Sequence, residues 1–137
     1  MTKNNKSKKG FTIVELLVVI VVIGILSAIS IVSYSSLTKR AKIANTITNA
    51  KNIISVANAY NADKGVYPAL GSLNSGSYAT ISSNITIGGT NPTEINGEKT
   101  FKYETCGTPV VTGAKVTYFD YEANAATGII KTGTGCL

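Results

Sequence analysis

The sequence of 137 residues contains no histidine, the side chain most often used as a general base near neutral pH and a frequent zinc ligand. It also has no glycine-rich phosphate-binding loop, and no two of its acidic residues are adjacent in the sequence. These absences remove the side-chain groupings from which most active sites are built. We therefore predict that the chain is not an enzyme and has no catalytic residue, no metal site and no cofactor.

Cysteine is scarce as well, since Cys106 and Cys136 are the only two. Both lie far C-terminal to an apolar segment of membrane-spanning length, so they would be outside the cytoplasm, where thiols are oxidised. We predict a disulfide between them, and two buried free thiols are the alternative. A metal site built on two cysteines would need further ligands, and none cluster near them in the sequence.

The most conspicuous feature that is present is an apolar run of 22 residues at 11–32, whose only polar side chains are those of Thr12, Glu15, Ser27 and Ser30. As an α-helix this run would be about 33 Å long, enough to cross the hydrocarbon core of a bilayer. A secretory signal peptide would have a shorter apolar region followed by a cleavage site. A buried core helix would be striped rather than apolar all round. We therefore predict a transmembrane helix at residues 11–33.

The formal net charge of +6 belongs mainly to the residues before this run. Four of the thirteen cationic residues precede Phe11, namely Lys3, Lys6, Lys8 and Lys9. The nine that remain face seven acidic residues, so the rest of the chain has a net charge of only +2. We interpret residues 1–10 as a basic leader that stays on the cytoplasmic side of the membrane. This bias is weak, because cations also follow the run, at Lys39, Arg40 and Lys42.

Glu15 lies near the start of the apolar run, where a carboxylate facing lipid is costly. One interpretation is an acid that reaches the membrane interface and is favoured by the positive N-terminus of the helix. The other is an acid that has a partner or a function inside the membrane.

The apolar run continues without a turn signal into an amphipathic helix at residues 34–63. Its apolar face is formed by residues spaced three or four apart: Ile43, Ile47, Ala50, Ile54 and Ala57. The pair Lys64-Gly65 is predicted to end the helix, because glycine accepts the left-handed cap conformation. Pro68 then favours extended chain.

Residues 64–99 are rich in glycine, serine, asparagine and threonine, and we predict a loop region with weak strand character at 78–81 and 85–87. Residues 100–137 predict a β-meander with a disulfide. TFKYETC and AKVTYFDYEA both alternate, and ATGII begins a third strand after a turn at 124–128.

A sheet of this kind has one face to bury, and the amphipathic helix has one face to cover it. The fold class is therefore α+β, with a long N-terminal helix packed on a C-terminal antiparallel sheet. We refer to residues 34–137 as the head.

The segment KGFTIVELLVVIVVIGILSAI, which begins at Lys9, strongly resembles the processing and polymerisation segment of type IV pilins and the related pseudopilins. AYNADKGVYP, at 59–68, is more weakly similar to the end of the pilin helix. The resemblance implies that Gly10 ends the leader and that a prepilin peptidase cuts between Gly10 and Phe11. It also implies that the same enzyme methylates the new N-terminus of Phe11.

In this family the acid at the position of Glu15 is needed for assembly. Cutting after Gly10 creates an α-amine with a pKa of about 8, which is cationic at neutral pH. The Glu15 carboxylate of a neighbouring subunit can neutralise that amine inside a bundle of helices. The chain departs from the family pattern at Val32, where many pilins have a proline.

The resemblance implies a single-pass precursor in the inner or cytoplasmic membrane that becomes part of an extracellular filament. The partners would be other pilins in a helical homo-oligomer, the prepilin peptidase, the membrane, and the platform protein and ATPase motor of pilus assembly. The leading hypothesis is therefore a structural subunit of a type IV pilus that serves adhesion, motility or DNA uptake.

The alternative is a pseudopilin of a type II secretion or competence system. Major pseudopilins bind calcium through acids in the C-terminal loop, whereas residues 123–135 contain no acid. A pilin that binds DNA would need clustered cations. Nucleic acid is a possible but not a favoured partner, because the lysines of the sheet region are predicted to be dispersed. These lysines are Lys99, Lys102, Lys115 and Lys131.

Overall fold

The computed structural model describes residues 10–73 and 81–136. Its elements are α1 (Ile13–Lys64), α2 (Leu70–Leu73), β1 (Thr86–Gly88), β2 (Thr100–Cys106), β3 (Gly113–Asp120) and β4 (Ala125–Gly133). The chain divides into two compact units between Thr38 and Lys39. Most of the predicted leader, at 1–9, and residues 78–80 of a predicted strand lie outside the described residues. A long helix with a mostly antiparallel sheet confirms the predicted α+β class.

α1 is one helix of 52 residues, and its sequence contains no proline to interrupt it. It ends at the predicted position, because Gly65 follows with a φ of 73°. This left-handed conformation closes the helix, and the Gly65 N–H donates to the carbonyl of Asn61 at 2.8 Å. Pro68 is buried where the chain leaves the helix.

The four strands form one sheet in the order β1-β2-β3-β4. β1 pairs parallel to β2, with Ile87 opposite Phe101. β2, β3 and β4 form the antiparallel meander, in which Val116 of β3 is opposite Tyr103 on one side and Ile130 on the other. β1 lies in the region 64–99, where the sequence predicted a loop with weak strand character at 85–87, and its three residues overlap that stretch. Its parallel pairing with β2 was not predicted.

The turn before β4 lies at residues 121–124, earlier than predicted. Asp120 shapes this turn, since its Oδ1 accepts hydrogen bonds from two backbone N–H groups at 2.8 and 3.3 Å. Gly128 suggested a turn in the sequence, but it lies inside β4 opposite Tyr118. A Cβ at this position would overlap the tyrosine ring. The glycine therefore allows a close approach between neighbouring strands rather than a change of direction.

The core of the head lies where α1 meets the sheet. The α1 side chains Ala50, Ile53 and Ala57 are fully buried, and they belong to one cluster with Phe101 and Val116. Burying a side chain such as Ile53 contributes about 1.5–3 kcal/mol. The predicted packing of the amphipathic helix on the sheet is thus confirmed, with the buried face centred on Ile53.

Polar groups within this core have partners. Thr46 is fully buried, and its hydroxyl donates to the carbonyl of Lys42 at 2.7 Å. The Tyr103 hydroxyl donates to the carbonyl of Pro68 at 2.9 Å, and burial raises the pKa of this phenol. The core is therefore joined to the chain segment that leaves α1.

Candidate processing and assembly site

The N-terminus of α1 is closed by a reciprocal pair of hydrogen bonds between Thr12 and Glu15. The backbone N–H and the hydroxyl of Thr12 both donate to Oε2 of Glu15, at 2.8 and 2.7 Å. In return, the backbone N–H of Glu15 donates to the Thr12 hydroxyl at 3.2 Å. This is a capping box, with Thr12 as the N-cap residue and Glu15 at the third helical position.

Glu15 therefore has a hydrogen-bond partner in its own chain, Thr12, and this partner was not predicted. The signal was present as Thr-x-x-Glu directly before an apolar run. Both hydrogen bonds that the Glu15 carboxylate accepts from Thr12 are accepted by Oε2. Within residues 10–73 and 81–136, no hydrogen bond to Oε1 occurs. One carboxylate oxygen thus closes the helix, while the other accepts no hydrogen bond from the described residues.

The Gly10–Phe11 peptide bond lies before the first turn of α1, in chain that is neither helix nor strand. The Phe11 side chain is 88% exposed, and no atom of the described chain lies within 4 Å of a Cβ built on Gly10. A protease needs accessible chain outside regular secondary structure at the bond that it cuts, and this bond is in such chain. Lys9, the last residue predicted for the leader before Gly10, lies outside the described residues.

The apolar part of α1 meets the length and composition needed to cross a membrane. Its most apolar window of 18 residues has a mean hydropathy of 3.0, and none of that window is buried. The hydroxyls of Ser27 and Ser30 donate to the carbonyls of Ile23 and Leu26 at 2.7 and 2.8 Å. Because these hydroxyls are satisfied inside the helix, they add little to the cost of lipid contact.

In the head, the structure joins Cys106 to Cys136, with their Cα atoms 5.0 Å apart. The bond links the end of β2 to the segment that follows β4 and encloses β3 and β4 between them. The neighbouring backbone is closely packed, since a Cβ on Gly113 would lie 3.2 Å from the Cys136 sulfur. The segment after β4 is further held by the Thr134 N–H, which donates to the carbonyl of Thr112 at 3.0 Å.

The lysines of the sheet are less dispersed than the sequence indicated. Cross-strand register places Lys102, Lys115 and Lys131 on one face of the sheet, with Lys115 directly opposite Lys131. The only acid among them is Glu104, whose Oε2 lies 3.2 Å from Lys102 Nζ and 3.4 Å from Lys115 Nζ. Three lysines and one glutamate give this face a net charge of +2, few cations for a surface that must neutralise many phosphates.

The surroundings of Glu104 on this face of the sheet change the pKa of its carboxyl group. Partial burial raises the pKa of its carboxyl, but the hydrogen bonds and positive charges of Lys102 and Lys115 outweigh that effect, so the pKa is lowered. Within the described part of the chain, no group of three or more histidine, cysteine or acidic residues is arranged to hold a metal ion.

The prokaryotic N-terminal methylation motif matches residues 5–31 of the chain. The match spans the Gly10–Phe11 bond, the capping box of Thr12 and Glu15, and most of the apolar part of α1. No curated protein and no solved structure matches the chain. Together with the long N-terminal helix and the mostly antiparallel sheet, this N-terminal segment supports a type IV pilin or pseudopilin.

Proposed function

We propose that this chain is a structural subunit of a type IV pilus. A prepilin peptidase cuts it between Gly10 and Phe11 and methylates Phe11, and the processed chains polymerise through α1 into a surface filament. The observation that supports the proposal is that the sequence motif and the structural features of the processing site lie in the same segment of the chain. The methylation motif spans an exposed, non-helical peptide bond that is followed at once by a capped helix of membrane-spanning length.

The proposed role of Glu15 follows from its two carboxylate oxygens. Before assembly, Thr12 satisfies Oε2 and closes the helix, so the acid is tolerated near the membrane interface. After cutting, the Phe11 α-amine of a neighbouring copy can donate to Oε1. Each of the two charges would be costly to bury alone in a helix bundle, and the pairing satisfies both. Thr12 thereby holds Glu15 in position for the neighbour's amine.

The same proposal assigns a role to each part of the chain. Residues 1–10 are the leader, residues 11–33 the transmembrane and polymerisation helix, and residues 34–137 the pilin head. The precursor is anchored by α1 in the inner or cytoplasmic membrane. A platform protein and an ATPase motor then move it into an extracellular filament of pilins. A pseudopilin of a secretion or competence system would share the N-terminal chemistry and differ in the length of the fibre.

Two measurements on the same cells test the proposal. Electron microscopy of cells with and without this gene should show surface filaments that depend on the gene. Mass spectrometry of sheared filaments should find this chain beginning at Phe11 with one added methyl group. A chain that retains Met1 in the filament fraction contradicts the processing. A processed chain in cells that lose secretion or competence, but have no gene-dependent filaments, favours the pseudopilin.

A further inference from the structure

One apolar side chain of the head is left entirely uncovered. Ile95, in the segment 93–99 between β1 and β2, is 100% exposed. This segment is ordered by its own hydrogen bonds, since Asn96 Oδ1 accepts from the backbone N–H and the hydroxyl of Thr93 at 2.7 and 3.0 Å. The carbonyl of Asn96 also accepts from the Thr100 N–H at 2.9 Å.

The segment is also fixed to the rest of the head. Glu98 lies 3.0 Å from Lys42 of α1, and this pairing raises the pKa of the lysine. The Tyr121 hydroxyl donates to the carbonyl of Glu94 at 3.4 Å. Gly97 is packed against Phe119 so closely that a Cβ would overlap the ring. Ile95 therefore projects from a segment that is held on both sides, and its exposure is a property of the fold.

A second uncovered surface lies on α1, directly after the predicted membrane helix. Tyr34, Leu37 and Arg40 are spaced three residues apart and share one side of the helix. Tyr34 and Leu37 are 73% and 62% exposed, and Arg40 is exposed as well. These residues directly follow the predicted membrane helix at 11–33, and their exposure means that the described chain itself does not cover the two apolar side chains.

These two surfaces are chemically complementary, because each has an exposed apolar residue with a charged residue nearby, and the two charges are of opposite sign. On one, the exposed acid Glu94 lies next to Ile95. On the other, the exposed cation Arg40 lies one turn from Leu37. Neither Glu94 nor Arg40 forms a salt bridge within the described residues. A guanidinium and a carboxylate pair well at an interface, where an apolar contact beside them excludes water.

We infer that Ile95 of one copy packs on Tyr34 and Leu37 of a second copy, while Glu94 pairs with Arg40 of that copy. The inference rests on the proposed polymerisation. Because the two surfaces differ, the contact is heterologous: each copy uses one surface on each of two neighbours, and the contact repeats into a filament rather than closing as a dimer.

Cysteine cross-linking between two tagged versions of the chain tests the contact directly. One version carries Ile95→Cys and the other Leu37→Cys, and both are expressed in the same cell. The native cysteines are joined to each other, so each version brings one new thiol. We expect sheared filaments to contain a dimer that carries both tags and disappears on reduction. The matched control replaces Ile95→Cys by Val110→Cys, at another exposed apolar side chain, and should give no such dimer.

A charge exchange tests the pairing of Glu94 with Arg40. Glu94→Arg and Arg40→Glu should each lower the amount of filament, and the double variant should restore it. Lys39→Glu makes the same change of charge as Arg40→Glu on an adjacent side of the helix, and Glu94→Arg should not rescue it.

The outcomes separate this inference from the proposed function. Normal filaments with no dimer above the Val110 control, or with no rescue by the double variant, overturn the contact but leave polymerisation intact. If the wild-type chain forms no filament, the proposed function fails first.

Discussion

The two halves of α1 differ in what surrounds them. From Ile13 to Ile31 every side chain is exposed, although nearly all of these residues are apolar. Further along the same helix, Ala50, Ile53 and Ala57 are fully buried against the sheet. The head therefore completes its own core, whereas the first half of the helix leaves its apolar surface for lipid or for other copies to cover.

The polar groups of the two halves show the same difference. In the first half they are satisfied locally, as when the Ser27 hydroxyl donates to the carbonyl of Ile23. In the head some of them also join distant parts of the chain, as when the Thr132 hydroxyl donates to Asn58 Oδ1 at 2.7 Å. Changes in the first half should thus alter processing and assembly without unfolding the head, and changes in the core of the head should lower its stability without altering processing.

The largest effect is expected at Gly10. Gly10→Val should abolish cutting, because a β-branched side chain would crowd a peptidase site adapted to glycine. In the chain itself the added side chain has room, since nothing described lies within 4 Å of the Cβ position. Mass spectrometry should find the full-length chain in the membrane fraction and no filament. Gly10→Ala, with a smaller side chain, is the graded control, and normal cutting of Gly10→Val would contradict the assigned bond.

Glu15 offers the next largest effect, and two substitutions separate its charge from its capping. Glu15→Ala removes both and should strongly reduce filament assembly while leaving membrane insertion intact. Glu15→Gln keeps an acceptor at the third helical position, where glutamine also serves in a capping box, but it has no charge. We expect Glu15→Gln to assemble as poorly as Glu15→Ala, as measured by sheared filament per cell. Normal assembly of Glu15→Gln would mean that the cap, not the charge, is what assembly requires.

In the head, the disulfide carries the next prediction. Cys136→Ser should lower the free energy of unfolding by about 3–4 kcal/mol, since the bond closes a loop with a sequence separation of 30. Unfolding of the purified full-length chain in detergent measures this loss, and the segment after β4 should become sensitive to protease. Cutting at Gly10 should be unchanged. Two alkylatable thiols in assembled filaments would show that no bond forms there.

How well the sequence predicted each half follows from the range of the interactions involved. The first half of α1 was predictable as a long helix because its apolar composition is a local signal. The end of the helix at Gly65 was local too, since a glycine followed by Pro68 needs no tertiary context.

The features that were missed in the head depend on residues far apart in sequence. The parallel pairing of β1 with β2 joins residues that are not neighbours in sequence, such as Ile87 and Phe101, and Gly128 is required by the ring of Tyr118 on the neighbouring strand. The face with Lys115 and Lys131 appears only once the register of β3 and β4 is known. The capping box at Thr12 is the exception, because it was a local signal that went unused.

The smallest predicted effect concerns the charged face of the sheet and its dependence on pH. Lys102 and Lys115 lower the pKa of Glu104 in the folded head, so the paired carboxylate stabilises the head above its ordinary pKa of 4.5. That contribution is lost as the pH falls through the lower, folded-state pKa. Protonation also leaves three lysines facing one another without the acid between them.

Thermal unfolding in detergent at pH 6 and at pH 3 measures this effect. The melting temperature of the wild-type head should be lower at pH 3 than at pH 6, and in Glu104→Gln this difference should be smaller. At pH 6, Glu104→Gln should lower the free energy of unfolding by no more than about 1 kcal/mol. Glu122→Gln, which removes an exposed acid in the turn before β4, is the matched control and should behave as the wild type. Equal slopes for Glu104→Gln and the wild type would show that this pairing is screened by solvent. In that case the charges on this face of the sheet would add no measurable stability to that of the core around Ile53 and the disulfide.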